Sequence, residues 1–356
     1  MKTLIIPVAG QSSRYPDMRP KWLLTMPDGS LMIEKSISQF DLSLFKRVVI
    51  IALEDHIKKY SSINILVKNL KKNISKKIQI ILLKKNTSCQ AETVYLGIKK
   101  AKVTGGVVIK DSDNTFKQKF EKKKINRISV VNSNKVELID AKNKSYILTD
   151  KLGNILNIVE KKVISNLFCC GAYEFQSAEV FNFHAKKCLS LSKNVFISDV
   201  IFSMLNSNYL FDYIEATNYE DWGTAKEFRN FSKKFYTIFI DFDGCIVENS
   251  SKFSKIPWNT VPIKKNVEVL RDLQKKYNLD IILTTSRPVS EKRKLVSFFR
   301  REHLKIKEYI FDLMHSKRIL INDFANSNPY PSSISINIPR NSEELSNILS
   351  SIIKTD

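Results

Sequence analysis

Two carboxylates separated by one residue close an apolar run in YTIFIDFDGCIVEN, 236–249. On an extended segment Asp241 and Asp243 point the same way. Such a pair suits an aspartyl nucleophile with a general acid/base beside it, and Gly244 permits a sharp exit. D-x-D-G also opens calcium loops, but the further ligands of D-x-D-x-D-G…E are missing here. A second chemical pattern lies near the start, where AGQSSR (9–14) leaves a strand-like run and RPK (19–21) comes next. Loops at the carboxyl ends of parallel strands are where such sheets bind ligands. Small residues there let backbone N–H groups approach phosphate oxygens in a concave nest, and Arg14 and Lys21 add positive charge. The spacing fits neither the dinucleotide G-x-G-x-x-G nor the Walker loop.

The elements that must position these residues follow from periodicity. Apolar, β-branched runs at 3–8, 47–52, 78–83 and 106–110 alternate with helical patterns, the signature of a parallel α/β sheet. From 127 to 175 the pattern turns strand-rich (RISVV, SYILTD, GNILNIVEK, FCCGAYEF) and predicts a substrate-binding excursion. A fresh βα series begins at 236: YTIFID, a helix over 264–277, DIILTT, a helix over 290–302, EYIF, RILIND, SISIN and a helix over 342–354. Between the two series, AKEFRNFSKKF (225–235) has no Gly or Pro and reads as a helix, not a flexible linker. The expected domains are 1–233 and 234–356.

LIIPVAGQSSRYPDMRPKWLL resembles the opening of the sugar-phosphate nucleotidylyltransferases, the nucleotide-diphosphate-sugar pyrophosphorylase family, written G-x-G-[ST]-R…P-K. Gly10, Ser13, Arg14, Pro20 and Lys21 match it, and Ser12 replaces the second glycine. The likeness continues in family order to about residue 230. TSCQAETV (87–94) is similar to G-x-A-E-T, with Cys89 where Gly is common. KDSDN (110–114) resembles the metal-binding acidic turn, IVEKK (158–162) the E-K pair, FISDV (196–200) the [IV]-[ST]-D element and EDWGT (220–224) D-x-G-T. Singly, each Asp is as readily a turn or helix-cap residue; the ordered series is what carries the resemblance. It implies that Ala9, Gly10, Ser12, Ser13, Gln90, Ala91 and Asp111 bind the nucleotide. Glu160, Lys161 and Asp199 would bind the acceptor, Lys161 through its phosphate. Arg14 and Lys21 would stabilise the triphosphate and departing pyrophosphate, with Mg²⁺ held by Asp113 and Asp221. Both reactants are anions, so positioning and charge neutralisation are most of such a catalysis.

The DFDG segment resembles the haloacid dehalogenase (HAD) superfamily over about 235–345. By that likeness Asp241 is the nucleophile and Asp243 the acid/base. Thr285 in ILTTSRP contacts the phosphoryl group, and Lys317 in HSKRILINDF neutralises it. Asp323 joins Asp241 and Asp243 at Mg²⁺. The final motif is often D-D, and here it is Asn322-Asp323, a weaker ligand set. The mechanism needs neither His303 nor His315. Room between Asp241 and Thr285 allows a short flap and no large cap.

Composition fits these expectations. With 356 residues, 43% of them hydrophobic and 26% charged, the chain can bury two ordinary cores. No apolar stretch approaches the roughly 18–20 residues that span a bilayer. The run after Lys2 is shorter than a signal-peptide core of about 7–15 residues, so a buried first strand and a cytoplasmic enzyme are expected. Five cysteines (Cys89, Cys169, Cys170, Cys188, Cys245) form no framework or metal-type spacing. The net charge of +22 fits solvated lysine faces and phosphorylated substrates. The lysine runs at 68–77 and 117–124 hold too few aromatics to stack bases, so no nucleic-acid partner is expected.

The fold expected is α/β throughout. A mixed, mostly parallel nucleotidyltransferase sheet (Rossmann-like, GT-A type) precedes a Rossmannoid HAD domain with minimal cap. The function expected is bifunctional. An NTP (CTP slightly favoured over UTP or dTTP) would give its nucleotidyl group to a sugar- or polyol-phosphate. The HAD domain would hydrolyse a phosphomonoester in the same pathway of activated-sugar synthesis, as for capsular polysaccharide. The alternative is a transferase whose second domain only binds or oligomerises. Membrane insertion is not expected, and a homo-oligomer is compatible with the sequence.

Overall fold

The computed structural model describes residues 1–10, 15, 18–61, 63–73, 77–121, 125–136, 140–323 and 333–353. The chain divides into two compact units, Met1–Arg229 and Asn230–Asp356. The first contains β1 (Lys2–Val8), α1 (Met32–Ile37), β2 (Phe45–Leu53), α2 (Glu54–Tyr60), α3 (Ile63–Asn73) and β3 (Lys77–Leu83). Next come α4 (Gln90–Lys100), β4 (Val107–Lys110), β5 (Asn114–Lys117), β6 (Arg127–Asn132), β7 (Ser145–Thr149), β8 (Ile155–Glu160) and β9 (Leu167–Phe175). It ends with α5 (Ala178–Leu191), α6 (Ile197–Leu205), β10 (Asp212–Glu215), β11 (Thr217–Asp221) and α7 (Ala225–Ser232), within which the division falls.

Among the described residues the central sheet has nine strands and runs β10-β6-β9-β4-β1-β2-β3, with β7 joined to β8 and β9. The pairs β1–β2, β1–β4, β2–β3 and β6–β10 are parallel, whereas β9 runs antiparallel to β4, β6 and β7. The sheet is covered on both faces, which suits its continuous apolar strands. Alternation along β1 sends Ile5 to one face with Val94 and Ile98 of α4, Phe181 of α5 and Val200 of α6. Leu4, Ile6 and Val8 go to the other face, with Trp22, Ile33 and Ile37 of α1 and Leu66 and Leu70 of α3.

Register creates the opening for a site. The β1–β4 ladder runs from Thr3–Val107 only to Ile5–Ile109, and Pro7, which has no N–H to give, lies beyond it. Past Lys110 the chain reverses into β5, which pairs antiparallel with β11. The carboxyl ends of β1 and β4 therefore diverge, and the loops beginning at Ala9 and Asp111 leave side by side.

The second unit holds β12 (Phe235–Asp241), α8 (Lys264–Lys276), β13 (Asn278–Thr284), α9 (Lys292–Arg301), β14 (Glu308–Ile310) and α10 (Leu345–Ile353). Its sheet is parallel, in the order β12-β13-β14, over a core of Phe242, Leu283, Leu295, Phe298 and Leu349. Two expected strands do not form. RILIND (318–323) is exposed, with Ile319 at 83% and Ile321 at 86%, and in SISIN residues 333–337 pair with no strand. Strand propensity reflects a fit to a half-buried pleated surface, and no ladder in the described residues takes these segments up.

Candidate active site

Pairing of β5 with β11 sets the centre of the site. Asp221 is in register with Asn114, and Trp222 N–H donates to the Asp113 carbonyl at 2.7 Å, so Asp113 and Asp221 flank one ladder. Each carboxylate meets a lysine. Lys21, in a 3₁₀ turn after Pro20, reaches Asp113, and Lys144, just before β7, reaches Asp221. Asp221 also accepts from Tyr219 Oη and from Gly223 N–H, both at 3.0 Å. Burial opposes ionisation of Asp113, but the charge and hydrogen bond of Lys21, with Lys144 and Lys110 behind, hold its carboxyl well below the usual carboxylate range. Burial likewise opposes the charge on Lys144, and Asp221 overcomes it and raises the ammonium above its ordinary value.

Gly223 leaves a gap between these groups. A Cβ there would lie 3.3 Å from Asp221 Oδ1, 3.5 Å from Glu227 Oε2 and 3.6 Å from Asp113 Oδ2. Glu227 is held there because Thr224 and Glu227 form a reciprocal cap at the start of α7, with Thr224 N–H donating to Glu227 Oε2 at 2.8 Å. Among the described residues no three His, Cys, Asp or Glu side chains alone make a metal cage. Mg²⁺ ordinarily takes one or two carboxylates and completes its shell with water and substrate phosphates. Asp113 and Asp221 across the Gly223 gap fit that requirement.

The acidic turn is stapled from beneath. Fully buried Lys110 donates to the carbonyls of Asp111 (2.6 Å) and Asn114 (2.9 Å) and to Asn114 Oδ1 (2.6 Å). Burial lowers its pKa to about 8. Asp111 accepts from Gln90 Nε2 at 2.5 Å, at the first turn of α4. Burial, with the charge of Asp113 added, pushes the Asp111 carboxyl up to about 6. Gly171 makes room for it: at φ +86°, a Cβ would lie 2.6 Å from Asp111 Oδ2 and 2.7 Å from Asn114 Nδ2.

Of the first loop, Ser12, Ser13 and Arg14 lie outside the described residues. Ala9 is buried, and a Cβ on Gly10 would meet no described residue within 4 Å. Tyr15, itself buried, directs its hydroxyl at the carbonyls of Trp222 and Thr224, the latter at 3.0 Å, and so ties this loop to the D-x-G-T turn. Ala91 is buried in α4. Glu160 accepts from Ser145 and, at 2.7 Å, from Ser198 Oγ. Lys161, exposed at φ +55°, donates its N–H to the Lys144 carbonyl at 3.0 Å, and its ammonium sits 4.5 Å from the centre of the Phe196 ring. Asp199 accepts from Phe196 N–H at 2.8 Å and caps α6. The [IV]-[ST]-D element thus meets the E-K pair through Ser198, with Asp199 used as a cap.

In the second unit Asp241 ends β12 in register with Thr284, and Thr285 is buried beside it. Thr285 Oγ1 accepts the N–H of Arg287 at 3.1 Å. Arg287, 0% exposed, grips Asp243 through Nη2 and Nε of its guanidinium (2.6 and 3.0 Å). The same group donates to the carbonyls of Trp258 (3.0 Å) and Asn259 (2.6 Å) and lies over the Phe242 and Trp258 rings. Burial pushes the Asp241 carboxyl up, although Arg318 stands 3.3 Å away. Lys317 and Asp323 lie in the exposed stretch, and Asp323 does not join Asp241 and Asp243 in a three-carboxylate cluster. With Arg287 on both oxygens of Asp243, these residues as they stand do not fit a cation.

Sequence reasoning missed Lys144, Lys110, Gly171, Glu227, Tyr15 and Arg287. Only Glu227 carried a local signal, the T-x-x-E capping box of 224–227.

No protein-family model matches the sequence, and no curated protein matches it. Solved structures do. The nucleoside-diphosphate-sugar pyrophosphorylase from Vibrio cholerae RC9 is 20% identical, with a TM-score of 0.56, over 65% of this chain and 99% of that one. The inositol-1-phosphate CTP transferase from T. maritima is 15% identical, with a TM-score of 0.52, over 65% of this chain and 95% of that one. A UDP-glucose pyrophosphorylase complexed with UDP-glucose is 14% identical, with a TM-score of 0.51, over 65% and 97%. The matched share is close to the part of the chain that Met1–Arg229 occupies. The likeness establishes the α/β fold, with its largely parallel central sheet. No helix among the described residues is long and apolar enough to cross a membrane.

Proposed function

We propose that the Met1–Arg229 unit is a nucleotidylyltransferase that joins an NTP, with CTP slightly favoured, to a sugar- or polyol-phosphate and releases pyrophosphate. The observation that carries this reading is the gap at Gly223, where Asp113 and Asp221 face each other with Lys21 and Lys144 alongside. An acceptor phosphate oxygen attacks the α-phosphorus, and the bond from that phosphorus to the bridging oxygen of the β-phosphate breaks. Lys21 neutralises the triphosphate and the leaving pyrophosphate. Backbone N–H groups near Gly10 receive phosphate oxygens, and Gln90 and Asp111 border the nucleoside. Glu160 and Lys161 take the acceptor, Lys161 through its phosphate. Mg²⁺ held by Asp113 and Asp221 would supply charge stabilisation at the phosphates. Proteins that share this fold include a CTP transferase and sugar-nucleotide pyrophosphorylases. A matrix of NTPs against sugar and polyol phosphates, read by mass spectrometry, tests the assignment: a nucleotide-diphosphate product should form and vanish in Asp113→Asn. No product from any pair would overturn it.

The second unit we read as a phosphohydrolase of the HAD type, with Asp241 as nucleophile, serving the same pathway. The grip of Arg287 on Asp243 favours a second reading, in which the unit binds or assembles without turnover. Phosphate release from a panel of sugar phosphates, abolished by Asp241→Asn, would exclude the binding module.

A further inference from the structure

We propose that Lys144 is the resident counter-ion of Asp221, and that it yields this carboxylate to the divalent cation while its own charge passes to a phosphate oxygen of the bound substrates. The inference rests on Asp113 and Asp221 being the carboxylates that hold that cation.

Lys144 is placed with more care than a surface lysine. Its side chain is 17% exposed and that of Asp221 13%. Its ammonium pairs with Asp221, stands 3.1 Å from Tyr219 Oη and lies over the Tyr219 ring. Its backbone is pinned as well: the carbonyl accepts from Lys161 N–H at 3.0 Å, and the next residue, Ser145, binds Glu160. Lys144 therefore stands where the Asp221 side of the gap meets the Glu160–Lys161 segment.

The balance of charge governs the exchange. Among the described residues around the gap, Asp111, Asp113, Asp221 and Glu227 face Lys21, Lys110 and Lys144. The lysines already neutralise most of the carboxylate charge. A dication arriving in the gap on the Oδ1 side of Asp221 meets an ammonium already on Oδ2 of the same carboxylate, and two cations on one carboxylate repel each other. Withdrawing Lys144 alone would strand a largely buried ammonium, which is costly unless a new anion receives it. A phosphate oxygen on the substrate side is such an anion. A lysine can make the exchange because its charge is a point on a flexible stem. Cation and phosphate should thus bind each other's complex more tightly than either binds the free protein, the reciprocity that linkage requires.

Mn²⁺ binding, followed by electron paramagnetic resonance on the full chain, tests this apart from turnover. The probes are inorganic phosphate for the acceptor and CMP for the nucleotide, both weak Mn²⁺ ligands in solution. In the wild type, saturating one of the probes should tighten Mn²⁺ binding, and which of them does so identifies the phosphate that receives Lys144. Lys144→Gln should bind Mn²⁺ alone about tenfold more tightly, equivalent to about 1.4 kcal/mol, and lose the response to the probe. Lys144→Arg, which keeps the charge, should restore the weak binding of Mn²⁺ alone; a merely structural lysine would not give this pattern. Should Lys144→Gln fail to fold, the wild type and Lys144→Arg still decide. Mn²⁺ affinity indifferent to both probes, or unchanged or weaker in Lys144→Gln, overturns the inference. Wild-type protein that binds no Mn²⁺, or binds it identically in Asp113→Asn and Asp221→Asn, overturns the cation site itself.

Discussion

Each unit presents a pair of aspartates at the end of an apolar strand or turn, and each pair has basic partners, yet the partners differ in kind. In Met1–Arg229 they are lysines, Lys21 27% exposed and Lys144 17% exposed. In Asn230–Asp356, Asp243 is held by Arg287, wholly buried, forked onto both carboxylate oxygens and tied by two further carbonyls and two rings. A lysine offers a compact charge on a flexible stem, whereas arginine offers a planar, preorganised fork. The lysines can be drawn off when another anion receives them, whereas Asp243 is fixed into the core and Asp241 beside it meets only the exposed Arg318. A D-x-D-G motif alone says nothing about that distinction.

Arg287→Ala leaves Asp243 without its buried partner and should cost the second unit about 3–5 kcal/mol, read as a lower denaturant midpoint by a probe in that unit. Loss under about 1 kcal/mol would mean the fork is no tighter than a lysine. Gly171 and Gly244 both have positive φ, +86° and +84°. A Cβ at Gly171 meets the Asp111 carboxylate, while one at Gly244 meets chiefly the Arg340 side chain, at 3.0 Å. Gly171→Ala should therefore cost at least about 2 kcal/mol and Gly244→Ala nearer 1 kcal/mol. Lys21→Ala should cost about 1 kcal/mol, because Lys144 and Lys110 still face Asp113, while removing nucleotide-diphosphate product.

How much of this the sequence announces depends on the distance between partners. Lys21, Gln90, Asp111, Asp113 and Asp221 are brought together by β1, β4 and the β5–β11 ladder, and each stands in a short motif beside a recognisable strand. Lys144 is one lysine in a lysine-rich stretch, and its partner is 77 residues away. Arg287 lies just after Thr285 in ILTTSRP, but its worth comes from Asp243, Trp258 and Asn259, 28 to 44 residues earlier. Gly171 reads as part of an ordinary apolar strand, and only the approach of Asp111 explains it. RILIND errs in the other direction: its residues favour a strand, but propensity supplies no ladder.

The smallest expected effect concerns acid. Asp113 sits below, and Asp241 above, the ordinary aspartate value. Above the unfolded value near ~3.9, Asp113 contributes stability that disappears as pH falls through its lowered folded value. Asp241 works in the opposite sense: its contribution is complete below the unfolded value and is lost as pH rises through the raised one. Carboxyl carbon-13 titration of selectively labelled aspartate should show midpoints on opposite sides of ~3.9; coincident midpoints would erase this part of the contrast.

Tyr15 carries one more consequence. Because its hydroxyl is spent on the carbonyls of Trp222 and Thr224, the loop after β1 and the turn after β11 are fastened as one part despite some two hundred residues of intervening chain. They should breathe as a unit: amide exchange at Gly223 and Thr224 should keep pace with exchange at Gly10 in the wild type and outrun it in Tyr15→Phe.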